Sequence, residues 1–196
     1  MALYRLLTPD EKAYIAGHNP FTDVEHDAWF GLGILSLYNL GIVSGYPDGT
    51  FQPNGLVTRA ELATILVQFF LPENAGAVPF SDVPENHWAY QYIADAYADG
   101  FIYGYPDGTF RPDDNASRVE FAVMVNRILS RSVDYNKLSP ELQSQIHQFS
   151  DMPESYWGFN VMVEASNSHN YSERDTFNNE YWTEITGNGI QAPENH

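Results

Sequence analysis

A chain of 196 residues with 43% hydrophobic and 15% aromatic content is globular in composition, and no apolar run reaches the roughly 18 residues of a membrane helix. Nine Lys and Arg stand against 26 Asp and Glu, a net charge of −17. That balance argues against nucleic acid, whose phosphates need clustered cations, and the absence of cysteine removes disulfides and thiolate metal sites.

The first residues lack the apolar core and cleavage site of a secretory signal, so an exported form would be a mature segment or a piece of something longer. Thr8-Pro9-Asp10-Glu11 then reads as a helix start, with Thr as N-cap, Pro in the first turn and Glu closing a capping box. That helix should end near Gly17. From Phe21 the chain repeats itself. Gly45-Tyr46-Pro47-Asp48-Gly49-Thr50-Phe51 returns letter for letter as Gly104 to Phe110, a shift of 59 residues. The same shift carries Phe21-Thr22-Asp23-Val24 onto Phe80-Ser81-Asp82-Val83, Trp29 onto Trp88, and Thr58-Arg59-Ala60-Glu61 onto Ser117-Arg118-Val119-Glu120. Self-similarity at a fixed period signals a repeat architecture, whose small units are stable by sharing a core.

Within each copy the pattern predicts two helices. The first carries Trp29, Leu32, Leu35 or Ser36, and Leu40 in one copy and Trp88, Tyr92 and Ala96 in the other, and ends at Gly41 or Gly100. The Pro-Asp-Gly-Thr string is a tight turn: Pro sets φ, Asp bonds local backbone, and Gly accepts a positive φ. The second helix opens at Thr58 or Ser117, with Leu62, Ile65, Leu66 and Phe69, or Phe121, Met124, Val125, Ile128 and Leu129, on its inner face. Residues 71–77 read as a linker, and Ser139-Pro140-Glu141-Leu142 starts a connecting helix. A third, eroded copy begins at Phe149-Ser150-Asp151-Met152 and keeps Trp157, Val161 and Ala165, but lacks the turn string. Its second helix is expected at Asn178 to Ile185, and the chain from Gly187 onward is expected to be unstructured.

These motifs together resemble the S-layer homology module: an opening Phe-x-Asp-Val, a tryptophan, a glycine-ended helix, an Asp-Gly-Thr-Phe-x-Pro loop and a Thr-Arg-Ala-Glu helix start. The resemblance is strong over about 110 residues and weak in the third copy. It implies an all-α fold, three tandem helical repeats sharing a core as a pseudo-threefold, three-pronged spindle. The boundaries would be an N-terminal helix at 1–20, repeats at 21–70 and 80–131, a connecting helix at 132–148, a degenerate repeat at 149–187 and a flexible tail at 188–196. It also implies a location at the bacterial cell wall or surface and non-covalent anchoring of a secreted protein. The partner would be an anionic, pyruvylated secondary polysaccharide of the peptidoglycan, with further domains attached in a longer protein.

The candidate ligand-binding residues are Arg59, Arg118, Glu61, Glu120, Trp29, Trp88, Asp23 and Asp82. In the family the arginine of Thr-Arg-Ala-Glu contacts the anionic sugar. Independently, a cation in a first helical turn opposes the helix dipole at a cost of roughly 0.3–1 kcal/mol, which helix formation alone does not explain. A helix N-terminus with an added guanidinium suits a carboxylate; a salt bridge to a nearby acid is the plainer alternative. Thr58, Glu61, Ser117 and Glu120 form capping boxes. The tryptophans read first as core anchors of the first helices and second as faces for sugar stacking. Asp23, Asp82 and Asp151 read first as helix-entry caps. Aligning Glu180 with Glu61 puts Asn178 in the arginine's place, so at most two grooves would be competent.

Calcium at the Asp-Gly-Thr turns, near Asp113 and Asp114, lacks the ligand spacing of an EF-hand. His18, His26, His87, His147, His169 and His196 show no His-x-x-x-His pair, so no metal and no cofactor is expected. No carboxylate pair is singled out for glycoside hydrolysis, so the chain reads as a non-enzyme. The alternative function is a protein–protein or calcium-dependent S-layer or adhesion module without direct glycan binding.

Overall fold

The computed structural model describes residues 8–25, 27–71 and 77–188, without the side chains of residues 11, 12, 15, 16 and 188. The Glu11 half of the first capping box, His26, linker residues 72–76 and the tail at 189–196 lie outside the described part. The chain forms two compact units, Met1–Asp99 with Gly104–Asn115, and Gly100–Tyr103 with Ala116–His196.

The first unit holds α1 (Pro9–Gly17), α2 (Gly31–Asn39), α3 (Arg59–Phe70) and α4 (Tyr90–Ala98). Gly41 and Gly100 follow α2 and α4 with φ of 72° each, the left-handed conformation that ends helices and that glycine adopts without a Cβ penalty. Helix α3 starts on the predicted capping box, with Thr58 as N-cap and Glu61 closing it. It buries Ala60, Leu62, Ala63, Leu66 and Val67, whereas Phe69 is exposed, so its apolar stripe sits slightly rotated from the predicted one. Phe21, Val24, Ile34 and Leu35 form a core with Phe30 and Phe51 packed against it.

The two copies of the turn string are built alike. Tyr46 N–H donates to the Thr50 carbonyl at 2.8 Å, and Tyr105 N–H to that of Thr109 at 2.7 Å. Gly45 and Gly104 lie against the ring of the Phe that opens their own repeat. A Cβ at Gly104 would meet Phe80 Cε1 and come within 2.5 Å of the Thr109 carbonyl oxygen. Gly104→Ala should therefore destabilise the first unit by about 2 kcal/mol; an unchanged urea midpoint would show that the turn relaxes around the methyl group.

The second unit departs from expectation. It begins regularly, with α5 (Arg118–Ile128) capped by Ser117 and Glu120, a 3-10 turn at Tyr135–Lys137, a short α6 (Pro140–Gln143) N-capped by Ser139, and α7 (Phe159–Ser166). The helix expected at 178–185 is absent. The chain leaves α7 directly into β1 (Asn167–Arg174) and returns as β2 (Glu180–Asn188), an antiparallel hairpin pairing Asn167 with Asn188, Tyr171 with Trp182 and Arg174 with Glu180. The protein is mixed α and β, not all-α, and the three-repeat helical spindle is not its fold. Residues 187 and 188, expected to be unstructured, belong to β2.

The reason is local. Tyr181, Trp182, Thr183, Ile185 and Thr186 are aromatic or β-branched residues that favour a pleated surface, and Trp182 is buried between exposed Tyr181 and Thr183. The turn is held by Asp175, whose carboxylate accepts from the N–H groups of Phe177 and Asn179 at 2.8 and 2.9 Å. Asn178 takes φ of 68°. Lys137 Nζ donates to Asp175 at 2.7 Å, and with the Asn179 side chain it holds that carboxyl well below the usual range. Trp182 joins Val133, Tyr135, Leu138, Ile146, Phe159 and Val163 in one core, so the hairpin takes the place a second helix would fill.

Candidate functional site

Asp23 and Asp82 are not helix-entry caps. Each carboxylate reaches across its repeat to the residues after the turn. Asp23 accepts from Phe51 and Gln52 N–H at 2.8 and 2.7 Å, and Asp82 from Phe110 and Arg111 N–H at 2.8 and 2.7 Å. Gln52 and Arg111 sit at φ of 57° and 58°, an uncommon conformation for residues with a side chain, which the carboxylate clasp stabilises. Asp48 and Asp107 each accept from the backbone N–H and hydroxyl of the Thr two residues on. The Thr109 hydroxyl, then Arg111, holds Asp107 down to about 2. The turn carboxylates are thus engaged by their own loop.

The two helix starts have diverged. At α3, the N–H groups of Arg59 and Ala60 donate to the carbonyls of Asp114 and Pro112, both at 2.9 Å, and Thr58 bridges to Asn115. The amides predicted to meet an anion are occupied by the loop of the next repeat. Arg59 is 4% exposed. Its Nε donates to the Phe110 carbonyl at 2.7 Å, and its guanidinium carbon lies 4.8 and 4.6 Å from the ring centres of Tyr105 and Phe110. This cation packs on the second copy of the turn string.

At α5, Arg118 is exposed, and its guanidinium carbon lies 5.5 Å from the ring of Phe149. The difference follows from the sequence. Arg59 has a complete turn string in the next copy to pack against; the third copy supplies its opening Phe149 but no turn string. Among the described residues, no backbone carbonyl takes the place at Arg118 and Val119 that Asp114 and Pro112 take at Arg59 and Ala60.

Glu61 and Glu120 close their capping boxes, each accepting from the N-cap N–H at 2.8 Å. Glu61 also accepts from the Tyr46 hydroxyl at 2.7 Å. Burial pushes the Glu61 carboxyl up, but the hydrogen bonds from Thr58 and Tyr46 outweigh it and hold the group below its usual range. The bond to Glu61, then burial, pushes the Tyr46 phenol up from 10.0 to about 12. The folded value lies above the unfolded one, so this stabilisation is complete below pH 10 and is lost as pH rises through about 12. Ultraviolet titration should show a late-ionising tyrosine that vanishes in Tyr46→Phe, beside Tyr135, whose phenol is also pushed up by burial; curves identical for the two proteins would mean the Tyr46 bond does not form.

The tryptophans are not core anchors. Trp29, Trp88 and Trp157 are 65%, 58% and 64% exposed, each just before the first helix of its copy. Nor does Asn178 stand at a helix start: it is in the hairpin turn, and Glu180 is buried on β2. In the second unit, Trp157 borders a cavity of about 320 Å³. It is also lined by Asn126, Arg127 and Arg131 around the end of α5 and by Asn160 and Glu164 of α7. Asn126 is held by a 3.0 Å bond to the Val161 carbonyl, and Arg127 lies 4.4 Å over the Tyr103 ring. Two guanidinium groups, amides and an exposed indole can recognise an anionic sugar by charge pairing, hydrogen bonding and stacking. The sequence reading missed Arg127, Arg131, Asn126 and Asn160, because the cavity exists only once α7 packs on α5. No described helix is long and apolar enough to cross a membrane.

Comparison with known proteins matches the S-layer homology domain to residues 20–63 and 79–122, the spans that contain both clasps and both helix starts. The cellulosome-anchoring protein of Acetivibrio thermocellus is 34% identical over 178 residues, 85% of this chain and 37% of that protein. Cell surface glycoprotein 1 of the same organism is 31% identical over 87% of this chain and 8% of its own length. An endoglucanase of a Bacillus species is 33% identical over 68% of this chain and 14% of its own. The chain thus spans little more than a third of the first relative and less of the others. With the repeated motifs and two tandem domain matches, the chain belongs to the S-layer homology domain family.

Proposed function

We propose that this chain is a non-catalytic module that anchors a protein non-covalently to the bacterial cell wall, by binding an anionic, pyruvylated secondary wall polysaccharide. It works outside the cell, at the wall or surface, as its family does. Relatives named as an anchoring protein and as a surface glycoprotein support the anchoring role. The endoglucanase aligns over only 14% of its length, which supports reading the shared part as an attachment module rather than a catalytic one.

The observation that carries the glycan reading is Arg118, an exposed cation at a helix start in a chain of net charge −17. A guanidinium pairs a carboxylate through two parallel bonds, and Phe149 beside it offers an apolar face for the ketal methyl group. Nine residues on, about 13 Å along the helix, Arg127 and Trp157 line the cavity that a neighbouring sugar would enter. Glu120 holds this helix start through its capping box, whereas Trp29, Trp88, Glu61, Asp23 and Asp82 belong to the first unit and are assigned no contact at this site. We assign Arg59 to structure, so the charged contact rests on the second helix start alone.

Sedimentation with purified wall sacculi tests the reading. Retention should be lost when the polysaccharide is removed from the peptidoglycan. Retention on stripped peptidoglycan, or calcium-dependent self-association without glycan, would replace this proposal with the protein–protein module.

A further inference from the structure

The second unit buries two carboxylates around one imidazole. Glu164 on α7 and Glu180 at the start of β2 are 1% and 3% exposed, and the His169 side chain on β1 is 1% exposed. One ligand atom from each lies within 4.8 Å of the others. His169 Nε2 is 2.7 Å from Glu180 Oε2 and 3.5 Å from Glu164 Oε1. A tetrahedral ion with bonds of about 2.0–2.2 Å leaves its ligand atoms roughly 3.3–3.6 Å apart, so the His169–Glu164 spacing of 3.5 Å already fits and the 2.7 Å between His169 and Glu180 needs only a small side-chain movement to open.

Separate observations point to a ligand there. Neither Glu164 oxygen accepts a hydrogen bond, although Arg131 Nε lies 2.9 Å from Oε1, and a buried carboxylate without aligned donors is costly. His169 Nδ1 is 2.9 Å from the Asn167 carbonyl oxygen. That oxygen can only accept, so Nδ1 carries a hydrogen, and Nε2, which lies 2.7 Å from Glu180 Oε2 and 3.5 Å from Arg131 Nη2, is the ring atom a metal ion would take in exchange for any proton shared with Glu180. A carbonyl on the far nitrogen is the usual second partner of a metal-bound histidine. Trp182 stacks on the ring at 3.8 Å and 14°, which fixes its plane. Arg174 donates to Glu180 Oε1 at 2.7 Å and leaves Oε2 facing the histidine.

We propose that Glu164, His169 and Glu180 bind one divalent transition-metal ion, zinc by the chemistry of the donors, with water as the fourth ligand. The ion would tie both strands of the hairpin to α7. Arg131, whose side chain is 33% exposed, yields Glu164 by turning outward. Arg131 and Glu164 also line the cavity of the proposed glycan site, so the metal is tested by zinc binding itself, in the absence of glycan.

The full chain, stripped with a chelator and dialysed, is titrated with zinc by calorimetry and with cobalt(II) by visible absorption. One zinc ion per chain should bind, and cobalt should give the intense bands of tetrahedral coordination that zinc then removes. Glu164→Gln and His169→Gln should each weaken zinc binding at least tenfold with the circular dichroism unchanged. Should either variant fail to fold, the wild type decides through its NMR spectrum, where zinc must shift the His169 ring signals and stop their titration. Absent stoichiometric binding, undiminished binding in folded variants, or a His169 that titrates alike with and without zinc overturns the proposal in favour of a proton on Nε2.

Discussion

Replacing Arg118 with alanine should lower the affinity for wall polysaccharide about ten- to a hundredfold while the melting temperature stays within a degree or two of wild type. A hydrogen-bonded charge pair contributes about 1.5–3 kcal/mol, and every 1.4 kcal/mol is a factor of ten in binding. The fold should not notice, because Arg118 is exposed and a cation in a first helical turn opposes the dipole. Lysine in its place should recover only part of the loss, since an ammonium cannot form the bidentate fork. The measurement is calorimetric titration with purified polysaccharide beside thermal unfolding. Full binding by Arg118→Ala would remove the arginine from the site.

Arg59→Ala should do the reverse, destabilising the first unit by about 3 kcal/mol. The substitution strips the buried Phe110 carbonyl of its donor, removes a cation from between two rings 4.8 and 4.6 Å away, and leaves space where nothing can enter cheaply. Chemical denaturation should show a lower midpoint, and glycan affinity measured well below that midpoint should change by less than threefold. A variant as stable as wild type but unable to bind would return Arg59 to the ligand.

The contrast between these arginines marks how far the sequence could be read. Much that a few neighbouring residues set was legible: Thr58 with Glu61 and Ser117 with Glu120 as capping boxes, Gly41 and Gly100 as helix ends, Ser139 as the start of α6. What depended on pairing across the chain was not. Asp23 and Asp82 looked like local caps because the amides they clasp lie 28 and 29 residues away. Arg59 and Arg118 have the same local motif, and only the presence or absence of a following turn string decides which one is buried. The tryptophans show the same limit, since helical spacing fixes a face but not what covers it.

The hairpin was missed for another reason. Its β-forming run from Tyr181 to Thr186 was present, but the repeat pattern of the first two copies was carried onto it. That substitution also hid the cluster at Glu164, His169 and Glu180, whose members are brought together only by strand pairing and by α7. A scan for histidine motifs along one helix cannot find ligands from a helix and two strands.

The central claim is that this module holds a pyruvylated wall polysaccharide through a single charged site centred on Arg118. The most direct test is calorimetric titration of the full chain with that polysaccharide before and after mild acid removal of the pyruvate ketal. The wild type should bind the intact glycan and bind at least tenfold more weakly without the ketal, and removing the ketal should have no further effect on Arg118→Ala. Equal affinity for both glycans in the wild type would contradict that claim.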